Sequence, residues 1–197
     1  MKGFMYWHPK LYSITMRLLY GKEMYDKRYE YMAKECNGMS VLDVGCADCH
    51  LADYLPRDKY AGLDINKNFI KNAIKRGINA KRLDVIKEEL PSAECIMISG
   101  ILHQLYPHHE ILIKKALDKA SKRVVICEPT THIACSKNPF IAKIARMIND
   151  PGYGSPKERL NKEQLFAMYK KYRAEKRYEI GRDSFAVFNP NHRSYHK

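Results

Sequence analysis

The stretch VLDVGCADCHLADYL, residues 41–55, concentrates groups able to do chemistry. Its CADCH segment, Cys46 to His50, has the C-x-x-C-H spacing of a covalent haem site, and Cys46-x-x-Cys49 has that of a metal-binding or disulfide-exchanging pair. The apolar run before it ends in Asp43 and Gly45, which suits a loop for a nucleotide-type cofactor instead, because a tight turn of small residues lets backbone N–H groups approach a ligand. Asp64 follows nineteen residues after Gly45, in YAGLDI, where a carboxylate can accept both hydroxyls of a ribose. Asp84 closes KRLDV, a place from which a carboxylate or its neighbouring N–H groups read an adenine edge. His103 in GILHQLY is the first candidate to take a proton from an acceptor, with Tyr106 as a shaping or hydrogen-bonding partner, and Glu128 and His132 are the second set.

The chain as a whole removes some of these readings. Its 197 residues suit one domain with a substantial core. MKGFMYWHPKLYS lacks the apolar segment and cleavage site of a secretory signal, and no window approaches the run of about 20 apolar residues needed to span a bilayer. Six scattered cysteines then imply a reducing, cytoplasmic setting, which excludes haem attachment. Zinc needs about four ligands, and the only comparable second pair is His132-x-x-Cys135. Two small side chains at a helix start is the simpler account of CADCH, so no metal is expected. The net charge of +13 is uneven: residues 137–197 hold fourteen basic against six acidic side chains, while residues 37–136 are nearly neutral. Such an excess attracts nucleic acid, an anionic substrate or a membrane surface, or is simply a solvated face.

The elements that must position these groups alternate in type. Residues 9–36 carry apolar side chains at helical spacing, read as two short helices broken near Gly21. From residue 41 onward VLDVG, YAGLDI, AKRLDV, ECIMISG and RVVICEP read as strands. HLADYL, NFIKNAIKRG and HHEILIKKALDKA read as helices, the second stopped by Gly77. Strand–helix alternation implies right-handed crossovers and a parallel sheet covered on both faces. Asn138-Pro139 opens a further helix, DPGYGSP is loop-forming, and Asn161 with Gln164 caps another helix. KRYEIGRDSFAVF reads as two antiparallel strands around a turn at GRDS.

In such a sheet a cofactor binds at the carboxyl ends of the strands. A dinucleotide and another adenosine cofactor both fit Gly45 and Asp64, and three features separate them. GCADCH lacks the third glycine of the dinucleotide fingerprint, Asp43 suits a cationic amine and sulfonium better than a pyrophosphate, and Asp84 is placed for adenine. On these segments the chain resembles the class I S-adenosylmethionine-dependent methyltransferases: VLDVGCADCHLADYL resembles their first motif, YAGLDI the second, RLDV the third, ECIMISGILHQLY the fourth, and RVVICEP their fifth strand. The resemblance covers about residues 40–130 and departs from the family at Ala47 and Cys49, which stand where its second and third motif glycines would be.

That resemblance implies an α/β, doubly wound, mostly parallel seven-stranded sheet with an antiparallel C-terminal strand pair. It implies a helical N-terminal extension over residues 1–36 that caps a single Rossmann-like domain, 37–197, with a helical lid inserted at 133–175. The cofactor it implies is S-adenosylmethionine, leaving as S-adenosylhomocysteine. Asp43, Gly45, Cys46 and Ala47 would surround its methionine part, Asp64 and Ile65 its ribose and adenine, Asp84 and Val85 the adenine, and Ser99 and Gly100 the floor near the reacting methyl. The acceptor expected is a small molecule or a lipid- or glycan-type intermediate. The alternatives are a nucleic-acid methyltransferase using the basic C-terminal third, for which the Asn/Asp-Pro-Pro-aromatic motif is lacking after the fourth strand, and a non-catalytic cofactor-binding relative.

Overall fold

In VLDV the side chains of Leu42 and Val44 enter one apolar cluster and that of Val41 another, the period-two alternation of a strand buried on both faces. The computed structural model describes residues 3–130 and 160–191. Seven strands form one sheet: β1 (Val41–Val44), β2 (Tyr60–Asp64), β3 (Ala80–Arg82), β4 (Ala93–Ser99), β5 (Ala120–Pro129), β6 (Lys176–Ile180) and β7 (Asp183–Phe188). Their order is β3-β2-β1-β4-β5-β7-β6. The first five are parallel, and β7 runs antiparallel to both β5 and β6. The strand order therefore reverses beside β1, between β2 and β4, and opens a crevice at the strands' carboxyl ends.

Helices cover both faces. Met32 of α2 (Lys22–Glu35) and Ile70 and Ala73 of α3 (Lys67–Lys75) pack with Val41, Cys95, Met97 and Val125. Leu112, Ile113 and Ala116 of α5 (His109–Lys119) pack on the other face with Ile96, Ile98, Val124 and Ile126. Two further helices frame the crevice, α1 (Pro9–Tyr20) and the single turn α4 (Leu102–Leu105). Gly21, at φ +76, separates α1 from α2, as the sequence predicts.

Three segments differ from the sequence reading. HLADYL forms only a short 3-10 turn, His50–Asp53, because Cys49 before it stands at φ +56, outside the helical region. Asp53 then pairs with Arg57 and Arg76, which ties this turn to the end of α3. β3 stops at Arg82, short of Asp84. The Asp84 carboxylate accepts the Ile86 N–H (3.1 Å) and its carbonyl the Glu88 N–H (2.8 Å), so the chain turns there instead of extending. In the expected lid, residues 133–159 lie outside those described. The described helix of that segment, α6 (Lys162–Lys171), buries Leu165, Met168 and Tyr169 in the core. Its start carries the capping box of Asn161 and Gln164.

Candidate active site

The turn after β1 is built by backbone hydrogen bonds. The N–H groups of Gly45 and Cys46 both donate to the Leu63 carbonyl (2.8 and 2.9 Å), and the Ala47 N–H donates to Asp64 Oδ2 (2.9 Å). Gly45 stands at φ +76, and a Cβ placed there would meet Ile101 Cγ2 at 2.4 Å, so only glycine fits. Ala47 and Cys49 also hold left-handed backbone, at φ +47 and +56. The loop thus keeps a glycine-like conformation without the glycines, at a cost of roughly 1–2 kcal/mol per residue.

Two adjoining cavities lie over this turn. They share the rings of Tyr6 and Tyr12 and the strand ends at Gly45, Ala47, Ser99 and Gly100. One, of about 700 Å³ counting its open mouth, is walled by Ile65, Phe69, Leu83, Val85 and Leu105, with Asp64 at its edge. Asp64 also accepts the Asn66 N–H (2.7 Å), so both carboxylate oxygens are held by backbone. The other, of about 860 Å³, contains Asp43, Arg28, Tyr29, His103 and Arg182. Asp43 is buried and accepts the Tyr60 hydroxyl (2.8 Å). Burial, reinforced by the nearby carboxylates of Asp64 and Asp48 and opposed by the Tyr60 bond, lifts its pKa to about 7.

His103, at the start of α4, is locked by a carboxylate. Glu128, at the end of β5 and 1% exposed, accepts the backbone N–H groups of Ile101 and Leu102 through Oε1 (2.8 and 2.9 Å). Its Oε2 lies 2.8 Å from His103 Nδ1. A carboxylate so engaged accepts from Nδ1–H, and Nε2 is then the ring nitrogen left to exchange a proton.

Of the residues singled out in the sequence, Asp43, Gly45, Cys46, Ala47, Ser99, Gly100 and His103 line the second cavity. Asp64, Ile65 and Val85 line the first. Asp84 and Tyr106 line neither: the Asp84 carboxylate is turned back onto its own loop, and Tyr106 stacks on His109 (5.5 Å between centroids). His132 and Cys135 lie outside the described residues. Cys49 Sγ donates to Cys46 Sγ (3.3 Å), and that bond together with burial pushes the Cys46 thiol well above its usual range, away from thiolate chemistry.

Sequence reasoning missed Arg28 and Arg182. Arg28 did leave a signal. Tyr25, Arg28, Tyr29 and Met32 fall at i, i+3, i+4 and i+7, so a cation interrupts the inward stripe of α2. Arg182 sits in the β6–β7 turn, where a charged residue carries no such signal.

No protein-family model matches the chain, and no curated protein matches it by sequence. Solved structures do match by fold. An O-methyltransferase family protein from Burkholderia thailandensis superposes with a TM-score of 0.66 at 12% identity, over 92% of this chain and 59% of that one. Magnesium protoporphyrin IX methyltransferase from Synechocystis PCC 6803, with bound SAH, gives 0.58 at 10% identity over 87% and 84%. N-methyltransferase NodS from Bradyrhizobium japonicum WM9 gives 0.58 at 12% identity over 86% and 97%. This chain therefore spans about three-fifths of the length of the Burkholderia protein.

Proposed function

We propose, from the class I methyltransferase fold, that this chain transfers a methyl group from S-adenosylmethionine to a small-molecule acceptor, with His103 as the general base. The observation that carries the reading is the meeting of the two cavities across Gly45 and Gly100, one apolar with a carboxylate at its edge, the other holding a carboxylate-locked histidine. The residues fit the cofactor. Phe69, Leu83 and Val85 offer an apolar slot for adenine, Asp64 a carboxylate for ribose hydroxyls, and buried Asp43 a counter-charge for the ammonium of the methionine part. When bound, the cofactor supplies an electrophilic methyl on a sulfonium.

The chain's own residues do the rest. Tyr6, Tyr12 and Tyr29 roof the crevice and exclude water, which strengthens every polar contact inside. Glu128 orients the His103 ring and stabilises the imidazolium that forms once Nε2 accepts the acceptor's proton. Holding acceptor and donor in line supplies much of the remaining acceleration.

Calorimetric titration with S-adenosylhomocysteine is the direct test. Saturable binding that Asp64→Ala abolishes, with the fold intact by circular dichroism, is the expected result. No binding at millimolar ligand would overturn the reading.

A further inference from the structure

α1 is apolar on two faces. On its inner side Tyr12 packs on Phe69 of α3 (5.3 Å between ring centroids), and Tyr12, Met16 and Tyr20 line the cavity that contains His103. On the opposite side, at the i, i+4 spacing of helical neighbours, stand Ile14 and Leu18, 57% and 81% exposed, with half-buried Leu11 one turn before them. Trp7, two residues ahead of the helix, is 60% exposed, and its carbonyl is held by Asn68 Nδ2 (3.0 Å). One exposed leucine needs no explanation, but large apolar side chains grouped on one helix face mark a surface that something else covers.

The charge around this face selects the partner. Residues 1–22 carry Lys2, Lys10, Arg17 and Lys22 and no acidic side chain. Lys10 is exposed one turn before Ile14, and Lys22 is exposed just past the helix end. The acids in the first turns of α2 are paired, Asp26 with Arg17 (3.3 Å) and Glu23 with Lys27 (2.6 Å). A second copy of this chain fits such a face poorly, because a two-fold contact sets the patch against itself and brings like charges together. An anionic bilayer fits both features: an interfacial helix sinks its apolar face between headgroups, tryptophan settles at headgroup level, and flanking Lys and Arg meet the lipid phosphates. Among the described residues no helix is long and apolar enough to cross a membrane, and the twelve residues of α1 reach only about 18 Å, so the helix lies along the surface.

We propose that α1 docks the protein on an anionic membrane surface through Trp7, Ile14 and Leu18. The inner face of the helix still walls the cavity, so docking sets that cavity one helix diameter, about 10 Å, from the lipid. Docking needs no cofactor, so it stands or falls independently of the methyl-transfer reading.

The test uses the full chain and its single tryptophan, Trp7. Vesicles of phosphatidylcholine with about one-third phosphatidylglycerol should capture the protein by sedimentation at least tenfold better than phosphatidylcholine alone. Capture should shift Trp7 emission to the blue and expose it to quenching by brominated acyl chains. Ile14→Gln combined with Leu18→Gln changes no charge and should cut capture about tenfold, with helical content by circular dichroism unchanged. A chain held only by its basic C-terminal third would be captured with Trp7 emission unmoved and with the double variant binding as well as the wild type. Either result, or no capture by anionic vesicles, would overturn the proposal. Should the double variant misfold, quenching in the unaltered chain decides alone, and unquenched Trp7 in captured protein counts against docking through α1. Self-association in sedimentation velocity that the double variant abolishes, with no vesicle capture, would assign the face to a second copy instead.

Discussion

In the proposed mechanism His103 and Glu128 act as a unit, because the carboxylate beside the ring is itself pinned by two backbone N–H groups. His103→Ala should lower turnover about 10²–10⁴-fold, the range of general base catalysis, and leave S-adenosylhomocysteine affinity unchanged. Turnover of whichever acceptor a labelled-donor screen returns, beside calorimetry, separates the two quantities. Parallel losses of rate and cofactor affinity would instead make His103 part of the binding site. Ala47 carries a different prediction. Its φ of +47 is strained for any residue with a Cβ, so Ala47→Gly should raise stability by about 1 kcal/mol, read as a higher melting temperature. Both positions were legible in the sequence, one as a histidine just past the fourth strand and the other as a departure from the glycine motif. Asp84 was singled out at a strand end, where a carboxylate also closes an Asx turn on its own backbone, and that local bond is the one it makes here.

At the scale of elements, the strands and their mostly parallel, doubly wound arrangement were readable because short apolar runs alternating with helical patterns imply right-handed crossovers; the strand order came from the structure. Helix and strand ends were less so, since a left-handed residue such as Cys49 gives no warning in residue type. The N-terminal segment that roofs the crevice is held by α3 rather than by its own packing alone. Buried Asn66 Nδ2 donates to the Tyr6 carbonyl (2.8 Å) while its Oδ1 caps α3 through the Asn68 N–H (3.0 Å). Asn68 Nδ2 donates to the Trp7 carbonyl (3.0 Å). Asn66→Ala removes a cap worth about 1 kcal/mol and strands a carbonyl at about 1–3 kcal/mol. A loss of about 2–4 kcal/mol in denaturant unfolding is expected, with weaker S-adenosylhomocysteine binding as the Tyr6 wall loosens. Full affinity in that variant would remove the roof from the cofactor site.

Across the whole molecule, the cap and the C-terminal hairpin meet along α2, where Glu35 takes the Tyr178 hydroxyl and where Tyr20 and Arg28 reach Asp183 from about 160 residues away in sequence. Nothing in the sequence announces such a pairing, because the partners share no motif and no period. Two buried carboxylates, Asp43 in the crevice and Asp48 beside the turn after β1, bear on the molecule's response to pH. Burial lifts Asp43 to about 7 and Asp48 to about 6, against 3.8 for an ordinary aspartate. The folded chain thus holds these protons more tightly than the unfolded one, so the stability they contribute is full below about pH 4 and is lost as pH rises through 6 to 7. The ligand-free protein should therefore melt at a higher temperature at pH 5.5 than at pH 8, against the usual direction of acid destabilisation. A ligand ammonium beside Asp43 favours the ionised form, so S-adenosylhomocysteine should bind more tightly at pH 8 than at pH 6 and release a proton below pH 7. Asp43→Asn should flatten both trends. Melting curves from pH 5.5 to 8, with and without ligand, check this in the wild-type chain and the variant. A wild-type melting temperature that falls on acidification, or an undiminished slope in Asp43→Asn, would place the controlling titration elsewhere.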